Sequence, residues 1–113
     1  MVSNVEKGKR VEKKARDALE ELGWKILFKS IRTRFQSQDF AGLFDIVAAR
    51  DRSRRLVSVK TFVSNARHVE HKRDLQNFSN KHSLLNEKCE LWLWHQETSS
   101  TSSAGGTWEM ITF

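Results

Sequence analysis

The chain has 113 residues, 38% of them hydrophobic and 30% charged, which gives room for one domain over 1–113 with a core of its own. That balance excludes a disordered tail, and no apolar run approaches the ~20 residues of a membrane span, so no membrane contact is expected. Residues 1–60 carry 15 basic and 8 acidic side chains against 5 and 6 in 61–113, for a net +6. Such a basic half favours a polyanion over a merely solvated surface, because each phosphate neutralised releases counterions.

Ser3 and Glu6 have capping-box spacing, and Val11, Ala15, Ala18, Leu19 and Leu22 form one helical stripe that Gly23 ends. Trp24–Lys29 reads as a strand and 30–41 as a polar, basic loop reaching Gly42. Leu43–Arg50 and Arg55–Val63 read as two strands of a hairpin across the charged turn between them. Residues 66–85 read as a second helix whose shared face carries His71, Leu75, Phe78, His82 and Leu85. Glu90–Gln96 and Thr107–Phe113 are strands, separated by the low-complexity stretch ETSSTSSAGG. The order αβββαββ predicts an α/β fold, a mixed central sheet flanked by helices.

Asp45 and Lys60 fall amid Leu, Ile and Val in the two hairpin strands, where each is costly unless paired or used. A self-satisfying ion pair is the plain alternative. Glu12 borders the buried face of the first helix, with Gly8 one turn earlier leaving space beside it. Its carboxylate is placed to reach over the sheet toward Asp45, or else to extend into water over a packed stem. The lone cysteine, Cys89, and the absence of a signal-peptide block point to a reducing, cytoplasmic setting.

A helix with Glu, a strand, a strand with Asp, a hairpin strand ending in x-x-Lys, then a helix and a strand resembles the PD-(D/E)xK nuclease core, the restriction-endonuclease-like fold. It resembles most the small archaeal Holliday junction resolvases, over roughly residues 3–96. The resemblance implies a Mg²⁺-dependent endonuclease, with Mn²⁺ able to substitute, acting on DNA and in particular branched or junction DNA. It implies Glu12 as the helix acid, Asp45 as the metal-binding Asp, Lys60 as the lysine that orients water, and the backbone carbonyl of Val59 as a further metal ligand. It also implies a homodimer.

Two departures stand out: Phe44 where the family often has Pro, and Ser58 where an acid is expected, twelve residues after Asp45. A serine hydroxyl is a weaker Mg²⁺ ligand than a carboxylate, so either a one-metal site remains or the fold only binds nucleic acid. Asp39 is a candidate replacement acid, leaving Glu12 and Asp39 both open as the second one. Arg32 and Arg34 in the loop, with Arg50, Arg52, Arg54 and Arg55 around the hairpin, are the expected phosphate contacts. His71 is a further candidate near the site, against the alternative of a hydrogen-bonded helix histidine. Trp92 and Trp94 alternate with Leu91 and Leu93, which suits a buried strand or a dimer contact. No zinc spacing, Ser-His-Asp triad, Walker loop or dinucleotide fingerprint is present, so no small-molecule cofactor is expected.

Overall fold

In a computed structural model that describes residues 4–32, 37–96 and 105–113, with side chains from Gly8 onward save Arg32 and Ser37, the chain begins with helix α1, Asn4–Glu21. Its stripe of Val11, Ala15 and Leu19 is buried. The helix ends in a Schellman motif: Trp24 N–H reaches Leu19 O at 3.0 Å, and Gly23, at φ +88°, bonds Glu20 O at 3.0 Å. Leu22 lies past the last turn and is 54% exposed, a departure from the predicted stripe.

Among the described residues seven strands follow: β1 (Lys25–Lys29), β2 (Ile31–Arg32), β3 (Ser37–Gln38), β4 (Ile46–Arg50), β5 (Ser53–Thr61), β6 (Glu87–Gln96) and β7 (Gly106–Thr112). Helix α2 (Val69–His82), entered through a 3₁₀ turn at Ala66–His68, connects β5 to β6. The main sheet is mixed, in the order β1-β4-β5-β6-β7; β5 and β6 are parallel and the other pairs antiparallel. The α/β class and the sheet between two helices are as predicted. The β2–β3 pair, a separate two-stranded sheet, falls where the sequence suggested only loop.

Each sheet face has one helix. Val11, Ala15 and Leu19 of α1 pack with Ile46, Ala48, Val57, Val59, Trp92 and Trp94. Leu75 of α2, with Phe78 beside it, packs with Phe44, Val47, Leu56, Cys89, Leu91 and Leu93. Strands β5 and β6 are therefore buried on both faces, which is why their sequences read as near-continuous apolar runs. Burial also pushes the Cys89 thiol above its ordinary pKa, leaving it inert. Both tryptophans of β6 meet Trp108 of β7 edge-on, at centroid distances of 5.4 and 4.9 Å.

Several boundaries move, among them β5, which runs Ser53–Thr61 rather than Arg55–Val63. Strand β4 starts at Ile46, so Asp45 stands just before the strand rather than inside it. Strand β6 starts at Glu87, and α2 stops at His82 because Ser83 turns to extended backbone. Leu85, predicted on the buried face, is 93% exposed beyond that stop. The ETSSTSSAGG stretch falls mostly outside the described residues, as does the Ser3 cap.

Candidate functional site

The hairpin between β4 and β5 has a closed end and an open end, and the candidate acid stands at the open one. Arg50 pairs with Ser53 across a two-residue turn, Asp51 and Arg52, both at positive φ. At the other end Asp45 N–H donates to Val57 O at 2.9 Å, the last main-chain bond of that ladder. One step further, Val59 N–H finds the Asp45 carboxylate instead, Oδ2 accepting at 2.7 Å. The Asp45 side chain thus stands in for a missing strand carbonyl, and only 3% of the residue is exposed.

By alternation along β5, Val57 and Val59 face α1 while Ser58 and Lys60 face α2. Ser58 is buried, and its Oγ lies 2.7 Å from His71 Nε2 of α2. Lys60 is exposed. The His71 pKa is lowered first by burial and then by the Lys60 charge, against the opposing pull of Asp45 and Asp74. A neutral imidazole beside Ser58 can either accept the serine proton or donate to its oxygen. The structure therefore brings Asp45, Ser58, Lys60 and His71 to one place. Next along, buried His68 accepts the Val63 N–H at 3.2 Å, and burial lowers its pKa also.

Glu12 comes from the other side. It is 4% exposed, and Ser30 Oγ donates to its Oε1 while Ser30 N–H donates to the Asp45 backbone oxygen at 2.7 Å. Glu12 also shares a cavity of about 110 Å³ with Gly8, Val11, Val59, Lys60 and Thr61. The Asp45 carboxylate thus meets Val59 directly, Glu12 lines a cavity with it, and Ser30 ties the two acidic segments together. Both acids make further interactions besides these. Sequence reading missed Ser30, because a serine after a strand carries no signal of which side chain it will meet.

The predicted third acid does not join them. Asp39 has a buried Oδ1 with no hydrogen-bond partner among the described residues. No three His, Cys, Asp or Glu side chains among those residues gather closely enough to hold a metal ion. Two buried carboxylates beside one backbone segment nevertheless suit a single hydrated Mg²⁺, which takes one or two carboxylates and completes its octahedron with water and substrate. Ser58 adds no charge to that set.

The arginines divide. The hairpin turn lies five residues from Asp45 along β4, about 16 Å at strand rise, so Arg50, Arg52 and Arg54 stand toward the far end of the ladder from the acids and Arg55 stands midway. An antiparallel hairpin puts its turn and its open end at opposite extremes, which corrects the expectation that these arginines flank the site. Arg50 instead donates to Leu22 O at 2.7 Å and caps α1. Arg34 and the Arg32 side chain lie outside the described residues. Lys9, Lys13, Arg16 and Lys29 are the cations near Glu12; with Glu12, Ser30 and Ile31 they line a cavity of about 340 Å³. Their signal was the basic half of the sequence, but the register that collects them was not visible in it. Among known proteins, no family model matches the chain and no curated protein matches it.

Proposed function

We propose that the protein is a divalent-metal-dependent endonuclease of the restriction-endonuclease-like type, hydrolysing DNA phosphodiester bonds with branched DNA as its preferred substrate. One observation above all supports this reading: a buried Asp45 carboxylate at the open end of a hairpin, bonded to the N–H of Val59, the residue between Ser58 and Lys60. Asp45 and Glu12, with the Val59 carbonyl, would hold one Mg²⁺ or Mn²⁺, and such an ion supplies charge neutralisation and a more acidic bound water. Lys60, exposed at the strand end, stabilises the negative charge that develops on the phosphate. His71, kept neutral by burial, takes up a proton next to Ser58. The cationic cavity beside Glu12 receives the neighbouring phosphates. A homodimer in a reducing compartment completes the proposal, the latter in keeping with a lone buried cysteine.

The neutral Ser58 favours a second reading, a nuclease-like fold that binds nucleic acid without cutting it. Purified protein incubated with Mg²⁺, Mn²⁺ or EDTA on linear, single-stranded and four-way-junction DNA separates the two. Asp45→Asn keeps an acceptor for Val59 N–H while removing the charge. The endonuclease reading expects metal-dependent cleavage that drops at least about a hundredfold in this variant, several kcal/mol of lost transition-state stabilisation. Salt-sensitive binding with no cleavage under any metal overturns it in favour of the binder.

A further inference from the structure

A second concavity lies away from the candidate site. It is a cavity of about 480 Å³ where β5 and β6 begin, lined by Trp24, Arg54, Arg55, Asn86, Lys88 and Glu90 together with Ser53 and Thr112. Three of those side chains are cations and one is an acid. The acid is already neutralised. Glu90 Oε2 accepts from Arg55 Nε at 2.8 Å, and its Oε1 accepts from Arg55 Nη2 and from Trp92 Nε1. The Arg55 guanidinium also lies over the Trp24 and Trp92 rings, 5.2 and 5.3 Å from their centroids.

This arrangement uses one edge of the guanidinium and immobilises it. A guanidinium has five N–H donors in a fixed fork, and the Nε–Nη2 edge serves Glu90. The end-on edge, Nη1 with the second Nη2 hydrogen, makes no hydrogen bond among the described residues. Two indoles and a bidentate carboxylate hold that edge in place, so little side-chain entropy remains to be lost on binding. Arg54 and Lys88, both exposed, add charge at the mouth. A planar fork with two more cations around it, in a cavity of this size, matches a phosphate group in geometry and charge.

We propose that this cavity is a phosphate-binding site, taking the terminal phosphate of a nucleotide or of a nucleic-acid strand through the end-on edge of Arg55 with Arg54 and Lys88. It is separate from the candidate active site: Arg55 faces α1 whereas Ser58 faces α2, three steps or about 10 Å further along β5. The proposal therefore stands or falls independently of any cleavage.

The test titrates the full chain with inorganic phosphate, 5′-AMP, and one oligonucleotide with and without a 5′-phosphate, following tryptophan fluorescence and calorimetric heat. Saturable one-to-one binding is expected, weakened at least about tenfold in an Arg54→Ala/Lys88→Ala double variant, whose exposed side chains can be removed without disturbing the fold. The same binding should persist in Asp45→Asn. Tighter binding of the phosphorylated strand than of its dephosphorylated form identifies a strand end as the ligand. Equal binding of inorganic phosphate and 5′-AMP identifies the phosphate group alone. The proposal is overturned if no probe binds saturably, or if the double variant binds each of them as well as the unaltered chain.

Discussion

Two buried carboxylates flank β5, one from each side, and they are held in opposite ways. Glu90 of β6 is closed off by a bidentate arginine and an indole N–H, with the guanidinium over the Trp24 and Trp92 rings. At the open end, Asp45 replaces a strand carbonyl for Val59 N–H, and its surroundings are a serine–histidine pair and an exposed lysine. The first arrangement is a structural ion pair completed within the protein. The second puts chemistry-bearing groups where the sheet opens. Burial alone does not separate a structural charge from a functional one; what surrounds the charge does.

Breaking the Arg55–Glu90 pair should have the largest effect. Arg55→Ala leaves the Glu90 carboxylate buried beside Trp92 without its counter-ion, and removing one partner of a buried pair costs about 3–5 kcal/mol. Urea unfolding of the variant should show the midpoint falling accordingly. A loss under about 1 kcal/mol would mean the pair behaves as a solvent-exposed one. At the open end the comparable change is smaller. Asp45→Ala strands the Val59 N–H and should cost about 1–3 kcal/mol, whereas Asp45→Asn retains an acceptor and should cost clearly less. If the two variants are equally stable, the carboxylate is not serving the ladder.

The sequence made one side of this comparison more legible than the other. Alternation and helical phase located the two helices, the five strands of the main sheet, the hairpin and the border position of Glu12, because periodic burial is written in periodic residues. The Asp45–Lys60 relation followed from hairpin pairing, and Ser58 was singled out by the family resemblance. What stayed hidden depends on contacts between distant segments. The Ser58–His71 bond joins β5 to α2, and Ser30 links Glu12 to Asp45. Arg55 and Glu90 are 35 residues apart, and nothing local marks Arg55 as different from Arg54. A run of arginines reads as one surface in sequence, and only the fold shows that Arg55 is the one that meets the buried Glu90.

Acid should act on the open end through its histidines. His71 and His68 both have folded-state pKa values below the ordinary 6.5, chiefly through burial. As pH falls below 6.5 the unfolded chain takes up protons before the folded one, so the stability these residues contribute is complete above 6.5 and is lost as pH drops through the depressed folded values. The urea midpoint should therefore fall between pH 7.5 and 5. His71→Gln, which can still hydrogen-bond Ser58 but does not titrate, should reduce that fall and leave the His68 share. An unchanged pH profile in this variant would sink the link between His71 burial and acid sensitivity.

The smallest expected change lies at the turn itself. Asp51 and Arg52 occupy the left-handed region at φ +48° and +69°, where a side chain is strained and a two-residue hairpin favours glycine at the second position. Arg52→Gly relieves that strain but adds freedom to the unfolded chain, so a net gain of at most about 1 kcal/mol is expected. The same variant removes one cation from the end of the hairpin remote from the acids. If DNA bound at the open end also reaches round to this turn, the variant should weaken binding uniformly and reduce the salt slope by about one. If the footprint stops at the Glu12 cavity, stability rises and the slope stays as it was. The geometry favours this second outcome, because the turn stands about 16 Å along β4 from Asp45 and Arg50, its first flanking residue, is already committed to the α1 terminus.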